Sequence, residues 1–169
     1  AESPYWRPIK YSLFPPLGLA TLAAYFSEND DVEIQDQHIE KLKLDDTPDL
    51  VCIQVYVTNA YRAYKIADEY RRRGVYVVMG GLHVTSLPDE AAQHADTLIL
   101  GPGEEAFPRF IKDLREGHPQ KRYVASWRSI ENIPPVRRDL IKREKYFVPN
   151  SLVVSRGCPH HCDFCYKDA

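Results

Sequence analysis

The chain has 169 residues, enough for one domain plus a linker or a piece of a second, and enough to bury a core without disulfide staples. With 44% apolar residues, 27% charged residues and a net charge of −2, it reads as globular, and nothing draws the whole molecule to nucleic acid or to an anionic membrane. No apolar run approaches the roughly 18 residues needed to cross a bilayer, and no signal peptide is visible, although the chain begins at Ala1; the expected setting is the cytoplasm.

Residues 1–15 form an aromatic, proline-rich loop. A helix is expected over about 16–29, because Leu19, Leu22, Ala23 and Phe26 recur at helical spacing. "DVEIQD" then alternates like a short strand. "LVCIQVYV" (50–57) is almost unbroken apolar, as in a parallel strand covered on both faces, and Cys52 inside it reads as inert core. A second helix is expected over about 60–73, with Ala60, Tyr64 and Ala67 on its buried side. Arg71, Arg72 and Arg73 sit at its negative end, and Gly74 is its stop. "VYVVMGG" is the next strand, "LPDEAAQHA" a short helix, and "DTLIL" another strand. "GPGEEAFPRFIKDLREG" is the clearest helix, with Phe107, Phe110, Ile111 and Leu114 as its stripe and Gly117 as its end.

Strands alternating with helices at this spacing predict an α/β fold, a doubly wound and mainly parallel sheet of flavodoxin-like type. The expected division is an α/β domain over 1–127, a linker over 128–150 with Pro134, Pro135 and Pro149, and the start of another domain over 151–169, opened by "SLVVS" as a strand. That strand has nothing after it to pair with, so the chain is expected to be a fragment. The front has only "IKYSLF" (9–14) for a first strand; either that segment serves, or the first strand lies upstream of Ala1.

Three of the four cysteines, Cys158, Cys162 and Cys165, are bunched in "SRGCPHHCDFCYKDA". A disulfide framework would spread them, so the pattern points to a reducing compartment and a metal site. The spacing Cys-x3-Cys-x2-Cys lets one loop ligate three metal corners. Three thiolates satisfy three irons of a four-iron, four-sulfur cluster and leave one iron open, which a catalytic metal needs. The alternative is structural zinc with His160 or His161 as fourth ligand, although zinc fingers normally supply two separated pairs.

With Phe164 before the last cysteine, "SRGCPHHCDFC" resembles the signature of radical S-adenosylmethionine enzymes. The resemblance implies that Cys158, Cys162 and Cys165 hold a [4Fe-4S] cluster whose open iron is chelated by S-adenosylmethionine. It further implies that the cluster's electron breaks the sulfonium to give a 5′-deoxyadenosyl radical, with a reductant such as flavodoxin or ferredoxin as partner. The preceding 125 or so residues resemble the cobalamin (B12)-binding, Rossmann-like domain that precedes the radical barrel in one large subclass, through "PPLGLATLAAYF", "VMGGLHVTSLPDE" and "LILGPGEEAFP". Residues 151–169 would then be the first strand and cysteine loop of that barrel. The implied chemistry is methyl transfer to an unactivated carbon, or a radical rearrangement such as anaerobic ring closure on a tetrapyrrole, as in the Mg-protoporphyrin monomethyl ester oxidative cyclases. The fragment alone is expected to be inactive as an enzyme, with no intact cluster.

Ligands of an open parallel sheet bind beyond the carboxyl ends of its strands. Three expected loops leave that edge: "VTNA", "GGLHVTS" and "GPGEE". Gly80, Gly81, Gly101 and Gly103 let backbone approach a flat ligand, and Thr58, Thr85 and Ser86 offer hydroxyls to a nucleotide tail. His83 and Glu104 complete the expected cobalamin contacts. "GPGEE" is not a dinucleotide fingerprint, since its acidic residues would repel a pyrophosphate. "DQHIEK" contains the Asp-x-His of the lower axial ligand motif of many cobalamin proteins, but Lys41 replaces its glycine and it follows the second strand rather than the first. His38 is therefore read as a solvated loop histidine, and cobalamin is expected with its own base removed and no protein imidazole on cobalt.

Two other function classes compete. A phosphate-switched receiver needs an aspartate where "YVTN" stands. A cobalamin-binding or zinc-stabilised module without catalysis is the remaining alternative, and the first of these leaves the cysteine loop unexplained.

Overall fold

The structure is a computed structural model that describes residues 11–125, 131–154, 160, 162 and 163. Cys158, Cys165, Phe164 and His161 lie outside the described residues, and so does Ser155, the last residue of the expected opening strand; residues 151–154 carry no regular structure. The chain falls into two compact units, one built on Asp45–Ile133 and the other on the residues up to Leu44 together with Pro134–Val154.

In the latter unit, Pro15 and Pro16 introduce α1 (Leu17–Leu22), which tightens into a 3-10 turn over Ala23–Tyr25. The helix is shorter than its periodicity suggests. It buries Ala20, Thr21 and Ala23 and leaves Leu19, Leu22 and Phe26 half-buried. Thr21 meets the cost of burial locally, because its hydroxyl donates to the Leu17 carbonyl at 2.8 Å. The "DVEIQD" stretch joins no sheet, and its Ile34 packs instead against a small core of Ala20, Ile39, Ile141 and Tyr146.

Residues 134–154 therefore share a core with the N-terminal segment, and backbone bonds fix them there. Arg137 N–H donates to Ala20 O at 3.0 Å, and Phe147 N–H to Ser12 O at 3.0 Å, beside an isolated parallel bridge between Ser12 and Tyr146. The Tyr146 hydroxyl donates to Asp36 Oδ2 at 2.8 Å; burial, and then that carboxylate, push the phenol above its ordinary range. Lys142 closes the same corner as an ion pair with Glu40.

The other unit is the parallel sheet. Its strands are β1 (Leu50–Gln54), β2 (Tyr76–Gly80), β3 (Thr97–Leu100) and β4 (Arg122–Val124), in that order and all parallel. Between them run α2 (Ala60–Arg72), α3 (Leu82–Ser86), α4 (Pro88–Ala91) and α5 (Gly103–Arg115). Register sorts the side chains into two faces, since paired residues of parallel strands point the same way. Met79, Leu98 and Arg122 share one face; Gly80, Ile99 and Tyr123 share the other. Arg122 reaches Asp89 of α4 at 2.6 Å from the first face, while Phe110 of α5 meets Tyr76 and Tyr123 on the second. Helices thus flank the sheet on both sides, and this is the α/β fold that the alternation of elements predicts.

β1 stops at Gln54, three residues before the end of the apolar run. Asn59 is the reason. Its side-chain oxygen accepts the Tyr56 N–H at 2.7 Å, which turns the backbone away from the ladder. The consequence falls on the two apolar residues of that turn, Tyr56 and Val57, which the sequence places in a covered strand and the structure leaves exposed, Val57 by 77%.

Candidate functional site

Three turns leave the carboxyl edge of this sheet, and they are tied to one another. The turn after β1 is bound to the turn after β2 through backbone. Val55 N–H donates to Gly80 O at 2.8 Å, and His83 N–H donates to Val55 O at 3.3 Å. Gly81 sits at the contact with φ +110°, and a Cβ built there would meet Val55 O at 2.7 Å. Gly80 is nearly as tight, since its Cβ would meet that of Ile99 at 3.3 Å. The turn after β2 is bound to the turn after β3 through a side chain: Thr85 Oγ1 donates to Gly81 O at 3.0 Å and accepts the Gly101 N–H at 3.0 Å.

These contacts bring together Gly80, Gly81, Thr85 and Gly101. Gly103 opens α5, followed by half-buried Glu104 and by Glu105, which pairs with Arg109 at 3.1 Å. Both acids lie in the first turn, where the positive end of the helix favours them. Thr58 and Ser86 are exposed, Thr58 at the tip of the Asn59 turn.

His83 is the second residue of α3 and faces inward. It is buried, with Nε2 3.0 Å from the Tyr64 hydroxyl and 3.3 Å from Glu90 Oε1. The Tyr64 hydroxyl gives its single proton to Glu90 at 2.9 Å, so His83 Nε2 is the donor toward Tyr64. The Tyr64 bond, followed by the His83 bond, holds the Glu90 carboxyl below its usual range. Burial, reinforced by Glu90, holds the Tyr64 phenol above its own. Tyr64 also stacks on His94, with ring centroids 4.3 Å apart, and His94 Nδ1 lies 2.9 Å from Asp68. The sequence marks Tyr64 as core and gives no sign of this network, whose hydrogen-bonded pairs lie up to 26 residues apart in the chain.

The turns present exposed apolar side chains, Tyr56, Val57 and Leu82, beside the uncharged polar Thr58, Asn59 and Ser86. Close-approaching backbone, apolar and neutral polar side chains, and the two acids that open α5 make an edge better suited to a large, mostly uncharged ligand than to a phosphate. His38 lies in the other unit, with its side chain 77% exposed and its Nδ1 held 2.8 Å from Asp36.

Comparison with known families settles the class. Residues 11–111 match the B12 binding domain. The chain belongs to the B12-binding domain family. Among curated relatives, it is similar to the bacteriochlorophyllide d C-8(2)-methyltransferase of Chlorobaculum tepidum, with 34% identity over 162 residues, covering 88% of this chain and 35% of that protein. The bacteriochlorophyllide d C-12(1)-methyltransferase of the same organism is 29% identical over 159 residues, covering 89% of this chain and 34% of that protein. The hopanoid C-3 methylase of Methylococcus capsulatus is 28% identical over 181 residues, covering 89% and 35%. This B12-binding domain chain thus spans about a third of the length of these relatives. No helix among its described residues is long and apolar enough to cross a membrane.

The two described cysteines of the B12-binding domain chain differ sharply. Burial pushes the Cys52 thiol up to about 12, whereas Cys162 is exposed. Since the thiolate is the reacting species, iodoacetamide at about pH 8 should label Cys162 of iron-free protein and leave Cys52 unmodified, as read by peptide mass spectrometry. Cys52 is a half-buried residue of β1, and equal labelling of the two would contradict its raised thiol pKa.

Proposed function

We propose that this chain is the N-terminal part of a cobalamin-dependent methyltransferase of the radical S-adenosylmethionine class. One observation carries the reading: a B12-binding domain is followed, in the same chain, by Cys158, Cys162 and Cys165 at the spacing that holds three corners of a [4Fe-4S] cluster. The relatives named as methyltransferases and a methylase support methyl transfer over cyclisation. Their named substrates, bacteriochlorophyllides and hopanoids, suggest a large polycyclic acceptor with an unactivated carbon.

In this reading the turns at Gly80, Gly81 and Gly101 bring backbone close to cobalamin, and Tyr56, Val57 and Leu82 cover its edge and exclude water. Thr58 and Ser86 offer hydroxyls to its polar periphery. The three cysteines hold the cluster and leave one iron for S-adenosylmethionine. When bound, the cofactors supply the methyl group and the electron, and the protein supplies orientation and a dry site. A cytoplasmic flavodoxin or ferredoxin serves as electron donor.

The test uses full-length protein handled without air. The proposal expects about four irons and four labile sulfides per chain, and transfer of a labelled methyl group from S-adenosylmethionine to a tetrapyrrole or hopanoid acceptor. A colourless protein holding one zinc would overturn it in favour of a zinc-stabilised module. An oxidised, ring-closed product without added methyl would replace methyl transfer by cyclisation.

A further inference from the structure

The sequence assigns Thr85 a hydroxyl for the ligand. The structure gives that hydroxyl other work. A threonine hydroxyl has one proton and two lone pairs. Its proton goes to Gly81 O and one lone pair takes the Gly101 N–H, both at 3.0 Å. Gly81 belongs to the turn after β2 and Gly101 to the turn after β3, so one oxygen spans the gap between the two. Thr85 is anchored for this task by its own backbone, whose N–H also donates to Gly81 O at 3.0 Å, and by its neighbours His83 and Val84, both buried in α3. Gly101 is fixed from its other side, since its Cβ would meet that of Ala125 at 3.2 Å.

We propose that Thr85 is a positioning residue, the tie that sets the spacing of the two glycine turns against which cobalamin rests. The inference rests on the cobalamin reading of this edge. Its physical content is narrow. Without the hydroxyl, Gly101 loses the acceptor of its N–H, and a half-buried amide without a partner reorganises toward water. The turn after β3 then moves independently of the turn after β2, and a rigid macrocycle must order it on binding, which lowers affinity.

The experiment compares full-length wild type, Thr85→Val and Thr85→Ser by visible-absorption titration with hydroxocobalamin, with amide hydrogen exchange of the peptide containing Gly101 measured without cobalamin. Valine keeps the shape and removes the hydroxyl; serine keeps the hydroxyl and removes the methyl. The expected result is affinity about tenfold weaker in Thr85→Val, affinity within about twofold of wild type in Thr85→Ser, and faster Gly101 exchange in Thr85→Val alone. Wild-type affinity in Thr85→Val overturns the proposal. So does equal weakening in both variants, which would make the methyl group the cause. Wild type that binds no cobalamin while Thr85→Val still exchanges faster at Gly101 overturns the cobalamin reading of this edge, and Thr85 then ties the turns for some other ligand; unchanged exchange in Thr85→Val shows that there is no tie.

Discussion

Replacing Gly81 with alanine should destabilise the sheet unit by about 2–3 kcal/mol and greatly weaken its hold on cobalamin. Two effects act together. At φ +110° and ψ 178° the backbone lies in a region that is essentially restricted to glycine. The added Cβ would also stand 2.7 Å from Val55 O and 3.1 Å from Val55 N, and both atoms are backbone, so no side-chain rotation relieves the contact. The turn after β1 must move away, and the Val55–Gly80 and His83–Val55 bonds go with it. Chemical unfolding followed by circular dichroism should show a midpoint about 1–2 M lower in urea. An unchanged midpoint would mean that these two turns do not touch as described.

Phe110→Ala should be the most damaging change in the core, with a loss of about 3–5 kcal/mol. Phe110 is 0% exposed and sits among three aromatic rings: Tyr123 edge-on at 5.7 Å, Phe107 at 5.6 Å and Tyr76 at 6.4 Å. These rings belong to α5, β2 and β4, so the cavity opens where the helix meets two strands. Tyr123 is the one buried residue of β4, and that strand should fray first. Hydrogen exchange should show lost protection at residues 122–124 in the variant before the remaining strands change. A destabilisation below about 1 kcal/mol would contradict the central place of Phe110.

How far these features could be read in advance depended on length. α5 was legible because its stripe repeats over three turns, and Phe107, Phe110 and Ile111 are buried as that stripe requires. α2 was legible for the same reason, down to its stop at Gly74, which adopts φ +80°. Short elements gave no such signal. β4 has three residues and a single buried side chain, too few for alternation to register. α3 spans five residues containing His, Val and Thr, all modest helix formers, and read as loop. β1 was overextended because Tyr56 and Val57 look like strand, and the Asn59 turn that removes them from it is set by one side-chain bond. "DVEIQD" alternates as a strand should, but a strand needs a neighbouring strand, and among the described residues it has none.

The place of the glycine turns at the carboxyl edge was legible, and the roles of the side chains on them were not. A glycine pair at one strand end and a second glycine turn at the next mark the ligand edge of any open parallel sheet. The roles depend on where side chains point, and periodicity is silent about that over so few residues. His83 and Thr85 are two positions apart in "LHVTS", and the sequence offers both as ligand contacts. In the fold, His83 turns inward to Tyr64 and Glu90, and Thr85 bridges two turns.

Cobalamin binding at this edge is tested most directly by equilibrium titration of the full-length protein with hydroxocobalamin, followed by visible absorption and by retention through gel filtration. Saturable uptake of about one cobalamin per chain is expected, and Gly81→Ala should weaken it strongly. Failure of the wild-type protein to retain cobalamin, or equal retention by the Gly81→Ala variant, would contradict the assignment of cobalamin to this edge.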